Sequence, residues 1–333
     1  MRDRPSADTA SAGGFFLTID LWVWPAFIGL IFFLIALDLV FFHREAHEVS
    51  LGEAFVWSII WTVIGVGFAG VILIWHGSTA AGEYLAGYVI ERSLSVDNIF
   101  VFALIFRYFS VPPAYQHRVL VWGIVGAVVF RIAFIAAGAS LLDAFSWMIY
   151  VFGGFLVFTG VRMAISKEVE VHPENNPALR FLRRLMPITS DYEGTRFFVR
   201  QAGVLMATPL LAVLVVIETT DIIFAVDSIP AIFAVTDDAF IVFTSNAFAI
   251  LGMRVLYFML AGAMHRFVYL KAGLSVVLVF VGVKMLSEEV YHTSIWISLG
   301  VIAAVLTIAI IASLVVTGRR GQTELGPASS HGS

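Results

Sequence analysis

Five acidic residues interrupt two strongly apolar stretches of this chain: Glu91 and Asp97 in the first, Glu218, Asp221 and Asp227 in the second. A sixth, Asp38, stands in an apolar run nearer the N-terminus. An ionised carboxylate at mid-bilayer costs about 2.5–3.5 kcal/mol on an insertion scale, so five cost roughly 12–18 kcal/mol. That sum rivals the stability of a whole domain. The counter-charges on offer are Arg131 and Arg254, each inside the span that follows an acidic one, because Arg162 and Lys284 lie near stretch ends and are expected to snorkel outward. Three or four acids are left over. They must hold protons, bind a cation, or alternate between the two, and that alternation is what a proton-coupled cation carrier needs.

Spacing says which side chains cooperate. Glu91, Ser95 and Asn98 stand at i, i+4 and i+7, so a helix puts them on one face. Asp221 and Ser228 repeat the stripe, and Glu218 precedes Asp221 by about a turn. Asp97 and Asp227 are rotated away, so one straight helix cannot aim all five carboxylates at one point. Pro230 removes the hydrogen bond to the Val226 carbonyl and predicts a kinked or broken helix there. The histidines all fall in loops, tails or stretch ends, and there is no cysteine. The ligands on offer are carboxylate, amide, hydroxyl and carbonyl oxygens, which suit Mg, Ca or Mn rather than Zn or Cu(I). The residues alone leave those three ions open. His43 and His47 read as interfacial polar residues, and Gly123, Gly126, Gly153, Gly154 and Gly160 as close-packing positions, not a phosphate loop.

The elements that must position these groups are membrane helices. The chain is 60% hydrophobic and 13% charged, against roughly a quarter charged in soluble domains. Nine apolar runs are long enough to span: 21–42, 53–75, 85–108, 118–138, 145–165, 202–234, 239–260, 266–286 and 294–316. The sixth is too long for one crossing, so it is kinked, partly unwound, or preceded by a short interfacial segment. This predicts an all-α, polytopic fold: a polar segment 1–20, a transmembrane domain 21–316 and a disordered tail 317–333. Loop 166–200 is expected to be a solvated connector carrying one short amphipathic helix. Lys and Arg crowd the loops after odd-numbered spans, while 76–84, 139–144, 235–238 and 287–293 hold none. The N-terminus is therefore expected outside and the C-terminus in the cytoplasm. A net charge of −4 gives no reason to expect a nucleic-acid partner. The lipid bilayer and a divalent metal ion are the expected partners, and a homo-oligomer or a further membrane partner is left open. No nucleophile–base set or cofactor motif appears, so neither an enzyme nor a tightly bound cofactor is expected.

A weak internal repeat runs through the acidic spans. Glu91-Arg-Ser-Leu-Ser-Val-Asp97-Asn-Ile99 aligns with Asp221-Ile-Ile-Phe-Ala-Val-Asp227-Ser-Ile229 at an offset of 130. Phe158-Thr-Gly-Val-Arg162-Met163 aligns with Phe280-Val-Gly-Val-Lys284-Met285 at an offset of 122. Arg131 and Arg254 each sit in the span after an acidic one. Repeat A (85–165) thus appears again as repeat B (201–286), entering from the opposite side. Inverted three-plus-three repeats are a construction of secondary transporters, with the site at the repeat interface.

The strings GYVIERSLSVDNIFVF, QHRVLVWGIVGAVVFR, VIETTDIIFAVDSIPAIFAVT and FTSNAFAILGMRVLYF, with LDLVFFHREAHEVSLGEA in the first span, closely resemble the TerC/Alx family of bacterial membrane proteins. The match runs over about 20–290. The resemblance implies manganese(II) efflux across the bacterial inner membrane, in a fold grouped with three-plus-three exporters of the lysine-exporter type. The family's acidic membrane positions fall on Glu91, Asp97, Glu218, Asp221 and Asp227, and Asn98, Ser228 and Asn246 lie in the same strings. The transported ion is thus expected to meet the five acids with Asn98 and Ser228, supported by Asp38, Ser95, Arg131, Asn246 and Arg254. The alternatives are a non-transporting scaffold, in tellurite or stress resistance or in metalation of exported proteins, and amino-acid export. Topology is directly checkable: a reporter fused after Arg320 should read cytoplasmic and one within 287–293 external, and the opposite pair of results overturns the orientation.

Overall fold

The computed structural model describes residues 20–42, 51–165, 176–260, 268–287, 290–291 and 293–324. His43, His47, the start of the connector and the end of the tail lie outside them. The described chain is built of α-helices with one small hairpin. Helix α1 is Val23–Phe42, α2 Leu51–Tyr108, α3 Pro113–Ala144, α4 Met148–Ile165 and α5 Pro177–Leu185. Strands β1 (Phe198–Gln201) and β2 (Val204–Ala207) follow, then α6 Pro209–Phe233, α7 Ala239–Leu251, α8 Met253–Leu260, α9 Leu270–Leu286 and α10 Ile295–Glu324. Phe33, Val63, Ile74 and Ile308 are exposed large apolar side chains, as a lipid-facing surface requires.

The expected second and third spans both lie in α2, and the loop assigned to 76–84 is helical except at Gly77, whose φ is +87°. Only glycine adopts that conformation without strain. In a straight helix Gly65 and Tyr84 would stand about 28 Å apart. Instead the Tyr84 hydroxyl donates to the Gly65 carbonyl at 2.8 Å, so the two halves of α2 fold back on each other at Gly77. By length and composition, five helices can cross a membrane among the described residues, or six if α7 and α8 form one bent span. That is fewer than nine: α2 passes as a single helix, the apolar part of α1, Val23–Asp38, is short, and α9 has only 17 residues.

Two other boundaries differ. Residues 202–207 belong to the hairpin, whose two-residue turn at Ala202 and Gly203 has positive φ at both positions, as a twisted antiparallel pair needs. Helix α6 starts only at Pro209, so the overlong sixth span resolves as a helix preceded by a short non-helical segment. Pro230 sits inside α6 without ending it. The break falls instead at Gly252, where α7 and α8 meet at 41°. The tail expected to be disordered from 317 is helical to Glu324. The short amphipathic helix of the connector is present as α5, capped by Asn176 and burying Leu179 and Leu182.

Helices α4 and α9 pack closely, and glycine explains how. A Cβ on Gly160 would meet Val279 Cγ2 at 2.8 Å and the Ser275 carbonyl at 2.9 Å. A Cβ on Gly282 would meet the Gly153 carbonyl at 2.8 Å and Val157 Cγ2 at 2.9 Å. Adding 122 to Gly160, Gly153 and Val157 gives Gly282, Ser275 and Val279, so the repeat offset exchanges one set of contacts for the other. Gly154, by contrast, faces open space. Gly282→Ala should therefore lower the unfolding temperature of the detergent-solubilised protein through about 1–3 kcal/mol of overpacking. Gly154→Ala should be neutral or slightly stabilising; equal effects would dismiss the close-packing account.

Candidate functional site

The centre of the molecule is a buried ionic cluster supplied by three helices. Arg131 projects from α3 and is 1% exposed. Its Nη1 donates to Glu91 Oε1 of α2 at 2.5 Å and to Ser228 Oγ of α6 at 3.2 Å. Nη2 donates to Asp221 Oδ1 at 3.2 Å and Nε to Asp221 Oδ2 at 3.4 Å, a two-pronged grip on α6. Ser95, one turn after Glu91, donates to Glu91 Oε1 at 3.4 Å. Asn98 is buried on the same stripe while Asp97 is only half-buried, as the helical period requires. Arg131 thus gathers Glu91 and Asp221, the two residues that the offset of 130 makes equivalent.

The other acids stand apart. Glu218 lies one turn before Asp221, with its carboxylate over Gly126 of α3, where a Cβ would come within 2.1 Å of Oε1. Asp97 lies in the Coulombic field of Lys271 of α9. Asp227 accepts from Thr159 of α4 at 3.4 Å and feels Arg162 on the same helix. The paired residues Asp97 and Asp227 therefore address α9 and α4, the two helices related by the other offset. Arg162 is exposed, consistent with the snorkelling expected of it, while its charge is still felt at Asp227. Lys284 departs from that expectation: it is buried and donates from Nζ to the Ala234 carbonyl at 3.2 Å, just past the end of α6.

Two buried carboxylate oxygens, Glu91 Oε2 and Glu218 Oε2, have no hydrogen-bond partner. The Nδ2 of Asn246, buried in α7, has none either. Among the described residues no group of three or more Asp, Glu, His or Cys side chains is placed to hold a metal ion. The five carboxylates are thus not convergent in this conformation, and Arg131 stands between the two that come nearest to it.

Asp38 and Arg254 form a separate ion pair, Oδ1 to Nη2 at 2.6 Å, which ties α1 to α8. Arg254 also contacts His117 Nε2 of α3. Sequence reasoning named Asp38 and Arg254 but did not pair them, and it placed Glu83 in a loop. Glu83 is helical and accepts from Thr236 Oγ1 at 2.7 Å. With Asp237 and Lys284 it lines a cavity of about 340 Å³ at the end of α6. Ala80, Ala81 and Glu83 are good helix formers, and a single glycine, Gly82, is too weak a signal to have justified a loop over all of 76–84. Arg254→Leu should destabilise the protein by about 3–5 kcal/mol, because it strands a buried Asp38 charge. Pairing it with Asp38→Leu should restore most of the loss in thermal unfolding. If the double variant is no more stable than the single, the pair is not what Arg254 contributes.

The family model of the integral membrane protein TerC family matches residues 76–321. An uncharacterized membrane protein of Myxococcus xanthus is 49% identical over 88% of this chain and 92% of its own length. "Putative membrane-bound redox modulator Alx" of Salmonella typhi is 48% identical over 90% and 95%. The protein of the same name from Escherichia coli K12 is 44% identical over 91% and 98%. No solved structure matches. An all-helical chain with acids and arginines buried in apolar helices, matched nearly end to end by membrane proteins, belongs to the TerC family of integral membrane proteins.

Proposed function

We propose that this membrane protein exports a divalent cation, manganese(II), from the cytoplasm of a bacterium across its inner membrane. The observation that carries the reading is the pair of buried carboxylate oxygens without donors, on Glu91 and Glu218. An unsatisfied buried polar group costs about 1–3 kcal/mol, and a charged one more. A structural ion-pair network would have closed those valences. Groups that must exchange a cation for protons have reason to leave them open.

The donor set limits the ion. Glu91, Asp221, Ser95 and Ser228 offer only oxygen, as do Asp97, Asn98, Asp227, Glu218 and Asn246 through its carbonyl. Hard divalent ions match that chemistry. Manganese, in preference to magnesium or calcium, comes from the family resemblance. The relatives' name speaks of redox modulation; without cysteine this chain has no thiol chemistry, and a change in manganese supply is a route to such an effect.

Inverted repeats supply the movement. The exchange of the Gly160 and Gly282 contacts under the offset of 122 supports a two-fold relation between 85–165 and 201–286. The opposed attachments of Asp97 to α9 and Asp227 to α4 support it independently. Rocking of one repeat against the other would open the central pair to each side in turn. Protons returning from outside would discharge the ion.

One observation favours a second reading, that of a non-transporting scaffold in stress resistance or in metalation of exported proteins: among the described residues no three metal-capable side chains converge. Flux decides between them. Purified protein in liposomes should move Mn(II), and Asp97→Asn and Asp227→Asn should each reduce the rate by about tenfold or more while the protein stays folded. Because protons compete for the same oxygens, apparent affinity should rise as pH rises. Near-parental transport by both variants would sink the carboxylate pathway, and absence of flux in the parent would favour the scaffold.

A further inference from the structure

If Glu91 and Asp221 take a divalent ion, as the reading above holds, a guanidinium already stands in its way. Every polar contact of Arg131 goes to that pair or to Ser228 between them. The guanidinium joins α2 to α6 across the two halves of the repeat, so it holds them together while no ion is there. Yet it is an imperfect filler. Two carboxylates and one guanidinium leave one negative charge in the membrane. Glu91 is 0% exposed, and its Oε2 has no hydrogen-bond partner. A divalent ion in the same place would bring the charge to zero and could use both Glu91 oxygens, with the Ser95 and Ser228 hydroxyls beside them.

A displaced guanidinium cannot be left in an apolar surrounding, since an unpaired buried charge costs several kcal/mol. The structure supplies a destination. Glu218 is three residues before Asp221 on α6, adjacent on the helix surface and within Coulombic range of it. Its carboxylate rests on α3, the helix that carries Arg131, in a seat that exists because Gly126 has no side chain. Its Oε2 is buried and has no donor. It is a carboxylate placed one helical turn from the pair and missing a cationic partner.

We propose that Arg131 is a tethered counter-cation, which fills the Glu91–Asp221 pair in the ion-free protein and is displaced to Glu218 when a divalent ion enters. Ion binding is then an exchange of one cation for another. The empty carrier can close because its carboxylates are neutralised from within. Removing the tethered cation should tighten binding and slow turnover, a split that a merely structural arginine would not produce.

The test is Mn(II) binding to the purified protein, read by electron paramagnetic resonance, together with flux in liposomes. Arg131→Gln should lower the Kd about tenfold and reduce the transport rate. Glu218→Gln should raise the Kd in the parent, because the guanidinium loses its acceptor, and should have no effect on Kd in the Arg131→Gln background. Unchanged or weaker binding by folded Arg131→Gln overturns the exchange. A Glu218→Gln penalty that persists in the double variant makes Glu218 an ion ligand and overturns its role as the landing site. Should Arg131→Gln fail to fold, the parent still decides: with guanidino-labelled arginine, adding Mn(II) should shift the labelled infrared bands, and an unaltered spectrum at saturating metal overturns the exchange. A parent with no saturable Mn(II) binding removes the transport site itself, whatever Arg131 does.

Discussion

A guanidinium surrounded by apolar helices must find its acceptors on those helices, and the helices that bring them cannot then drift apart. Arg131 imposes that constraint on α2, α3 and α6 at once through Glu91, Asp221 and Ser228. Removing the guanidinium would leave two desolvated carboxylates without a counter-charge, and breaking buried pairs elsewhere has cost about 3–5 kcal/mol. Beyond this cluster and the Asp38–Arg254 pair, close packing carries much of the contact between helices, since lipid is as apolar as leucine and supplies no hydrophobic drive. The ion cluster fixes which helices meet; glycine decides how closely the others approach. Gly160 and Gly282 do so between α4 and α9, and Gly126 gives Glu218 its seat on α3.

Helix interruptions are arranged around that centre. Gly77 turns α2 back on itself, so that the half carrying Glu91 is covered by the half carrying Gly65. Gly252 ends α7 beside Arg92, which donates to the Ala249 carbonyl at 2.9 Å. That guanidinium takes up a carbonyl the broken helix can no longer satisfy and opposes the negative end of its dipole. Glu91 and Arg92 are neighbours in sequence and point to different tasks, one into the acidic pair and the other onto the helix break. A shift of α7 against α8 would be felt at Arg92 and hence one residue from the site.

Much of this was legible in the sequence because charge in an apolar run is costly and period is simple. The stripe Glu91, Ser95 and Asn98 is buried as one face, and Asp97 falls off it, as 3.6 residues per turn demands. The surplus of acids over arginines could be counted; which acids Arg131 would hold could not, because pairing depends on how α3 crosses α2 and α6. Lys284 was misread for a related reason. A long cationic side chain near a helix end ordinarily reaches for water, but here the end of α6 offers the Ala234 carbonyl first. The hairpin at 198–207 escaped because β2 reads Val204-Leu-Met-Ala207, apolar enough to pass for the start of a span. Its only signal was Ala202-Gly203, a turn that hydropathy does not register.

The placement of the acids also bears on why five are present when two would bind an ion. If Glu91 and Asp221 form the pair and Glu218 stands ready for the displaced guanidinium, Asp97 and Asp227 are left facing α9 and α4 with Lys271 and Arg162 as their cations. These two are paired by the sequence offset of 130, and each is tied to a different one of the helices α9 and α4. Each couples an acidic helix to the helix pair that packs through Gly160 and Gly282. A change in charge at the centre alters the field at both flanks. If the proposed two-fold relation holds, a conformation that strengthens one flank weakens the other only where that relation is broken. Alternation between an inward- and an outward-facing state is such a breaking, and the tethered charge is the element positioned to bias it.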